Sequence, residues 1–226
     1  MPDTVPAFHP DPEVLLAYAA GSLDEAGSVL VATHLALCPG CRSELGRLEA
    51  LGGALSAGLP PAPLAADALS AIMARLDEPE ESPPAPTPEF DEETRRSVPE
   101  PLRSYLGGNL RDLPWRWRGF AVRELPLAIG ASATDGGIRA ALIRVRGGAA
   151  LPAHTHTGVE TTLVLSGAFL DGPSRFGRGD VATATSADDH QPVAVPGEEC
   201  LCFAVIEGPL RLTGPIGRLF NRFVRL

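Results

Sequence analysis

The sequence lacks the features of several common protein classes. Its 226 residues contain no run of about 18 apolar residues, the length that a membrane-spanning helix requires. The segment MPDTVPAFHPDPE has neither the basic nor the apolar region of a signal peptide. We therefore expect a cytoplasmic protein with no membrane partner.

Basic residues are also few. Lys and Arg number 19 against 28 Asp and Glu, so the formal net charge is -9. Because nucleic acids are held mainly by clustered Lys and Arg, this charge disfavours a direct nucleic-acid partner. It is compatible with a basic protein partner or with no special partner, and charge alone does not decide between them.

Cysteine is sparse and falls into two close pairs, Cys38 with Cys41 and Cys200 with Cys202. Four cysteines are few for a secreted disulfide scaffold of this length. In a reducing compartment, a cysteine pair with histidines nearby more often binds a metal.

Residues 1–77 predict a small domain of four helices. Asp11 and Pro12 are typical of a helix start, and Gly21 of a helix end. Ser22 and Glu25 predict a capping box at the start of the second helix.

The third and fourth helices follow from Pro39 and from a later apolar pattern. Pro39 predicts a new helix start. Further along, apolar residues at i, i+3, i+4 and i+7 form one face of a fourth helix, namely Leu69, Ile72, Met73 and Leu76. Such a face requires a partner.

The rest of the chain changes character twice. Residues 78–100 are rich in proline and charge and predict a linker, which would let its flanking domains move unless they dock. Residues 101–226 contain short apolar runs separated by Gly, Pro and Asp, which predict an all-β sandwich or barrel. The fold class is therefore α+β in two domains. The tail GRLFNRFVRL could form a final strand or a short amphipathic helix.

The helical half contains a cluster of metal-ligand residue types. His34, Cys38 and Cys41 form the pattern H-x3-C-x2-C, in which the i, i+4 spacing puts His34 and Cys38 on one helical face. Structural zinc takes four N and S donors, and His9 is the only other histidine in this half. The alternatives are a thioredoxin-like redox pair, a buried core histidine at position 34 and an unstructured His9. The spacing as a whole favours zinc, which would also stabilise so small a domain.

The β half contains a second cluster. His154, His156 and Glu160 are separated by even numbers of residues, so on one extended strand their side chains share a face. His190 follows further along the chain. Three histidines and a glutamate form an open site suited to Zn, Fe, Mn, Ni or Cu, and we expect a divalent metal there, zinc above the others. An empty polar pocket is the alternative.

The spacing of this second cluster resembles the cupin motifs. Gly148-x5-His154-x-His156-x3-Glu160-x6-Gly167 matches the first cupin motif, and His190 stands 11 residues after Gly179, as in the second. The second motif departs from the usual pattern at three positions, Thr185, Ala187 and Ala194.

The helical pattern resembles the zinc-binding anti-sigma factors of the ChrR family, in which a linker and a cupin follow the zinc domain. LLAYAAGSL and VATHLALCPGC carry much of this likeness. The resemblance implies a domain that binds and inhibits an extracytoplasmic-function sigma factor. It also implies a cupin that is required for release in response to singlet oxygen or a related oxidant such as an organic peroxide.

Cys200 and Cys202, at i and i+2 of a strand, are either two small buried side chains or an oxidisable pair near the cupin metal. Family members have cysteines at the corresponding place, which leaves a redox role open.

Two other functions compete with the anti-sigma factor. In the first, His154, His156, Glu160 and His190 hold iron in a cupin dioxygenase, and the helical half is a regulatory attachment. No further acid, base or substrate-anchoring cluster stands out around those residues, which disfavours an enzyme. In the second, weaker hypothesis, the helical half is a redox or DNA-binding module.

Overall fold

The computed structural model describes residues 5–76, 78, 89–130 and 137–214. Its helices are α1 (Pro12–Ala19), α2 (Glu25–Leu37), α3 (Pro39–Ala57), α4 (Ala68–Leu76), α5 (Glu92–Ser97) and α6 (Glu100–Arg103). Its strands are β1 (Arg116–Trp117), β2 (Val122–Leu127), β3 (Ile138–Val145), β4 (His154–His156), β5 (Glu160–Ser166), β6 (Ala168–Asp171), β7 (Ser174–Gly177), β8 (Val181–Ala184), β9 (Val193–Ala194), β10 (Cys200–Glu207) and β11 (Leu210–Leu212). The tail GRLFNRFVRL, residues 217–226, lies outside the described residues.

The four helices predicted for the first 77 residues are present, with one correction. Helix α2 begins at Glu25, and its N-cap is Asp24, whose carboxylate accepts a hydrogen bond from the Gly27 N–H. Ser22 instead donates its hydroxyl to the Ala17 carbonyl. The predicted capping box at Ser22 is therefore wrong, because an Asp two residues later satisfies the free N–H groups of the first turn.

The β half folds into antiparallel sheets that form the predicted cupin barrel. The largest has the strand order β1-β2-β3-β10-β5-β8, and a second has the order β7-β6-β9. Strands β11 and β4 pair separately. Strand β10 lies at the centre of the large sheet, where β3 and β5 flank it, and all but the last of its residues are buried. The fold class predicted from the sequence is confirmed.

The end of the segment predicted as a linker has regular structure. Helix α5 is capped by Asp91, which accepts from the Thr94 N–H, and the Thr94 hydroxyl accepts from the Leu110 N–H. The Arg178 guanidinium donates to the Arg96 and Ser97 carbonyls and so holds the end of α5 on the barrel. Polar caps, one long-range arginine and the burial of Val98 and Phe90 against the barrel core fix this segment. Two isolated apolar residues do not produce a periodicity that the sequence would reveal.

Helix α2 joins the helical half to the barrel. Ala26, Val29 and Leu30 lie in one buried cluster with barrel residues such as Leu142 and Phe203. The helix contacts α6, β3 and β10. The two halves therefore share a hydrophobic core instead of being connected by the linker alone.

Polar contacts fix the start of α2 on the same surface. The Glu25 carboxylate accepts from the Tyr105 hydroxyl at 2.9 Å and from the Gly130 N–H at 2.9 Å. The Glu25 carboxylate raises the pKa of Tyr105, because the hydrogen bond and the nearby charge both favour the neutral phenol.

Within the part of the chain that the structure describes, none of the helices combines the length and the hydropathy that a membrane crossing requires.

The shared core generates a stability prediction. Leu30→Ala should lower the free energy of unfolding by about 2–5 kcal/mol, because it removes buried methyl groups and leaves a cavity between α2 and the barrel. Urea unfolding followed by circular dichroism measures the loss. Leu55→Ala is the matched control, since Leu55 is an exposed leucine on α3 and its truncation should change stability by about 0.5 kcal/mol or less. Equal effects of the two variants would contradict a shared core.

Candidate metal centres

The structure brings the four predicted residues of the helical cluster together at the junction of α2 and α3. His34 lies in the last turn of α2, Cys38 caps the start of α3, and Cys41 lies in the first turn of α3. His9 approaches from the segment before α1, and its Nδ1 is 3.5 Å from each of the two sulfur atoms. One donor atom from each of the four residues lies within 4.8 Å of all the others.

This geometry fits a tetrahedral N2S2 site. Zn–N bonds of about 2.1 Å and Zn–S bonds of about 2.3 Å place a nitrogen and a sulfur about 3.5 Å apart in a tetrahedron. The two His9 contacts have this length. In addition, His34 Nδ1 is used by a backbone carbonyl, while its buried Nε2 has no hydrogen-bond partner. A buried nitrogen without a hydrogen-bond partner is expected where that nitrogen serves as a metal ligand.

In the helical cluster, His34 is already in the form that binds a metal, whereas Cys41 must first lose its thiol proton. Burial lowers the pKa of His34 against the opposing hydrogen bond to Gly179, so the imidazole is neutral at neutral pH. Burial, together with the hydrogen bond to Cys38, raises the pKa of Cys41 to about 12. A metal at this site would therefore displace a proton from the Cys41 thiol, and its affinity would rise with pH.

The barrel contributes two partners to the helical cluster that sequence reasoning missed. The Gly179 carbonyl accepts from His34 Nδ1 at 2.8 Å. The Asp180 carboxylate accepts from the backbone N–H groups of Ala7 and Phe8, just before His9. These partners are more than 140 residues away along the chain, and no local spacing indicates them.

The second predicted cluster lies inside the barrel. His154 and His156 are both buried on β4, and Glu160 begins β5. The three residues thus come from two strands, whereas the sequence predicted a single extended strand; the turn between β4 and β5 still returns Glu160 to the same side. His190 pairs with His154 through a backbone bridge.

Distances within this cluster fit a metal with nitrogen and carboxylate ligands. His190 Nε2 is 3.1 Å from His154 Nε2 and 3.2 Å from His156 Nε2, and Glu160 Oε2 is 2.7 Å from His156 Nε2. Two nitrogens that each lie about 2.1 Å from one metal are about 3.0–3.4 Å apart in octahedral or tetrahedral geometry. The two distances between histidines fall in this range, whereas the contact between Glu160 and His156 is shorter and has the length of a hydrogen bond. One donor atom from each of the four residues lies within 4.8 Å of all the others.

Hydrogen bonds from the remaining nitrogens orient two of these histidines. His154 Nδ1 donates to the Pro152 carbonyl at 2.7 Å, and His190 Nδ1 donates to the Asp171 carboxylate at 2.7 Å. Such partners hold a ligand imidazole in the tautomer whose free nitrogen faces the metal. Asp171 is a site residue that sequence reasoning missed.

A short turn precedes His190 where the sequence departs from the second cupin motif. The Asp188 carboxylate accepts from the Thr185 N–H at 2.8 Å and from the Thr185 hydroxyl at 2.9 Å. These hydrogen bonds lower the pKa of Asp188. A side-chain turn thus occupies the place where the motif usually has proline and glycine.

The carboxylate of the barrel cluster is charged at neutral pH. Burial alone would raise the pKa of Glu160, but the neighbouring imidazoles of His154 and His156, at 3.9 Å and 2.7 Å, outweigh burial and lower it to about 2. Burial likewise opposes protonation of His154, yet the nearby Glu160 carboxylate and the hydrogen bond to the Pro152 carbonyl raise its pKa. The charged carboxylate is the form that binds a metal cation.

A cavity opens beside the barrel cluster, with a volume of about 100 Å³. This is room for several water molecules or a small organic molecule. Its wall is mainly apolar and includes Phe169, Phe176, Cys200 and Cys202. The two sulfur atoms are 3.6 Å apart. The hydrogen bond to Cys200, together with burial, raises the pKa of Cys202, so the Cys202 side chain is held as a neutral thiol.

Comparison with known proteins gives matches to both halves. The family model described as the ChrR cupin-like domain matches residues 107–210. The anti-sigma-E factor ChrR of Cereibacter sphaeroides is 41% identical over 218 residues, which cover 96% of this chain and 98% of that protein.

A solved structure, the complex of Rhodobacter sphaeroides SigE with the anti-sigma ChrR, contains a chain with a similar fold. The match has a TM-score of 0.76 and 40% identity, and it covers 90% of this chain and all of the other. Since similarity at this level extends over the helical half, the barrel and the junction between them, the chain belongs to the ChrR family of anti-sigma factors.

Proposed function

We propose that this chain binds and inhibits an extracytoplasmic-function sigma factor through its helical half, and that the cupin barrel is required for release of the sigma factor under oxidative stress by singlet oxygen or an organic peroxide. The observation that carries the proposal is the similarity over nearly the whole chain to an anti-sigma factor that has been crystallised with its sigma factor. We also propose that it acts in the cytoplasm, where such a partner resides.

The surface of α4 supports the proposal. The apolar side chains predicted to share one helical face, Leu69, Ile72, Met73 and Leu76, are between 54% and 73% exposed. Leu55 in the last turn of α3 and Leu59 just after the helix are exposed as well. A contiguous apolar helical face on a protein surface is typical of a site that docks against another protein.

We propose zinc for the N2S2 cluster of His9, His34, Cys38 and Cys41. Few large apolar side chains are buried around it, chiefly Leu15, Val31 and Leu35, so a bound metal would supply folding free energy that this small core lacks. For the barrel cluster of His154, His156, Glu160 and His190 we also propose zinc, although its open N3O donor set suits iron, manganese or nickel too.

The barrel is suited to act as the sensor because it combines a cavity, a metal cluster and two thiols. An organic hydroperoxide in the cavity could be reduced to its alcohol and water while Cys200 and Cys202 form a disulfide and lose two protons and two electrons. The raised pKa of Cys202 would keep that thiol unreactive until a sufficiently strong oxidant enters. Membership of a family of regulators favours this role over a cupin dioxygenase.

The α4 surface generates the first functional prediction. Ile72→Asp should weaken sigma-factor binding at least tenfold, because a carboxylate in the centre of an apolar interface is desolvated without a partner. Calorimetric titration with the purified cognate sigma factor measures the change. Ser70→Asp places the same charge on an exposed residue outside the stripe and should bind nearly as the unmodified chain does. Equal binding by both variants would exclude α4 from the interface.

A second prediction concerns the helical metal. Cys38→Ser or His34→Ala should release the sigma factor without any oxidant, since loss of a ligand removes folding free energy from the domain. Metal analysis should find one zinc fewer per chain, and a pull-down should recover no sigma factor. Ser43→Ala, an exposed substitution in the same turn of α3, should retain both. Persistent repression by the ligand variants would contradict a zinc-dependent clamp.

A third prediction separates the barrel from the clamp. His154→Ala or Glu160→Ala should leave sigma-factor binding intact and reduce its release by singlet oxygen or an organic hydroperoxide, as followed by a sigma-dependent reporter. Thr155→Ala is the matched control, because Thr155 lies on β4 between two buried histidines and its own side chain points away from the cluster. If the ligand variants fail to bind the sigma factor at all, the barrel is required for binding as well as for release, and the proposed separation of the two roles is wrong.

A further inference from the structure

The barrel loop of residues 177–181 is hydrogen-bonded to the segment that carries His9. Asp180 Oδ1 accepts from the Ala7 N–H at 2.6 Å and from the Phe8 N–H at 3.0 Å, and the Val181 N–H donates to the Phe8 carbonyl at 3.1 Å. Asp180 Oδ2 accepts from the Gly177 N–H of the loop itself at 2.7 Å. One carboxylate therefore fixes both the shape of the loop and the backbone next to His9.

The same loop orients His34. The Gly179 carbonyl accepts the His34 Nδ1 proton, which leaves Nε2 facing the cluster. Gly179 has a φ of +89°, and a Cβ there would lie 2.6 Å from Cγ of Pro6. Only glycine allows this close approach, so the carbonyl can reach His34 while the N-terminal segment packs over the loop.

On its other side, the loop is connected to the barrel cavity by aromatic rings. Phe176, on β7, lies 4.4 Å from Phe8 and 5.0 Å from Phe169, measured between ring centroids. Phe169 and Phe176 both line the cavity. Strand β6 carries Phe169 and also Asp171, which orients His190.

We propose that the loop of residues 177–181 positions His9 and His34 for metal binding, and that through Phe176 and Phe8 it couples the state of the barrel cavity to the stability of the metal site in the helical half. The loop contacts His34 directly and contacts the residues just before His9. The strand that precedes the loop, β7, forms part of the cavity wall through Phe176. A molecule that displaces Phe176 would disturb Phe8, next to His9, and the turn that presents the Gly179 carbonyl.

The size of the effect follows from the role of partners behind a metal ligand. Loss of the group that orients a ligand imidazole weakens metal binding about 10–100-fold. Coupling between two sites is also reciprocal, so occupancy of the barrel cluster should change metal retention at the helical cluster. The test by sigma-factor release rests on the proposed function, whereas the tests by metal retention do not.

Cobalt provides a test that isolates the helical site. Among the predicted ligands only Cys38 and Cys41 supply thiolates, so thiolate-to-cobalt absorption in the Co²⁺-loaded full chain reports the helical cluster. The measurement is the rate at which this absorption disappears after addition of excess chelator. Asp180→Ala should speed the loss about tenfold, and Asp180→Asn, which keeps one acceptor oxygen, should restore most of the retention. Asp91→Ala removes a carboxylate that caps α5 and should leave the rate unchanged.

A double-mutant cycle tests the link to the cavity. Glu160→Gln in the barrel cluster should change the rate of cobalt loss from the helical cluster severalfold, and the same substitution in a Phe176→Leu background should have little effect. Additive effects of Glu160→Gln and Phe176→Leu would overturn the coupling. A rate in Asp180→Ala equal to that of the unmodified chain would overturn the positioning role. If Asp180→Ala does not fold, Phe8→Leu carries the same expectation, because it alters the ring contact without touching the barrel core.

Sigma-factor binding keeps the two proposals distinct. Phe176→Leu should bind the cognate sigma factor and release less of it than the unmodified chain when cumene hydroperoxide is added, whereas Asp180→Asn should release nearly as much as the unmodified chain. Full release by Phe176→Leu would overturn the coupling and leave the anti-sigma function standing. Failure of the unmodified chain to bind the sigma factor would overturn the proposed function, while the cobalt measurement would still decide whether the loop positions His9 and His34.

Discussion

The packing of α2 against the barrel is the constraint on which the rest of the structure depends. One side of the helix contributes Val29 and Leu30 to the barrel core, and Val31 on another side belongs to the small core around the N2S2 cluster. At its start the Glu25 carboxylate is held by two hydrogen bonds, and near its end His34 is held by the Gly179 carbonyl. The position of the helical metal cluster is therefore set by the barrel as much as by its own helices.

Much of this molecule could be predicted from its sequence, because the relevant patterns are local. Three residues of the N2S2 cluster lie within eight positions of one another, and the three predicted ligands in the first cupin motif, His154, His156 and Glu160, lie within seven. Short spacings of this kind fix geometry through helix and strand periodicity. The α4 stripe is partly such a case: its period predicted one apolar helical face that requires a partner, and only the structure shows that this face is exposed.

The features that could not be predicted depend on contacts between distant segments. Residues of the barrel loop, Gly179 and Asp180, meet His34 and Phe8 across 145 and 172 residues of sequence. A backbone carbonyl leaves no signature in a sequence at all. The prediction of the α2 cap was wrong for a different reason. Ser22 and Asp24 are both good N-cap residues, and only the packing of the helix selects between them.

The sharing of α2 between two cores also limits how such proteins can be recombined. A helical metal domain that ended in a self-contained surface could be fused to any sensor through a flexible linker. Here the side chains of one helix, α2, belong to the cores of both halves. A new sensor would therefore have to provide a complementary apolar surface for Val29 and Leu30 and a hydrogen-bond acceptor for His34 Nδ1. Exchange of sensors in this architecture therefore requires matched changes on both sides of the helix, and the two halves are expected to evolve as a single unit.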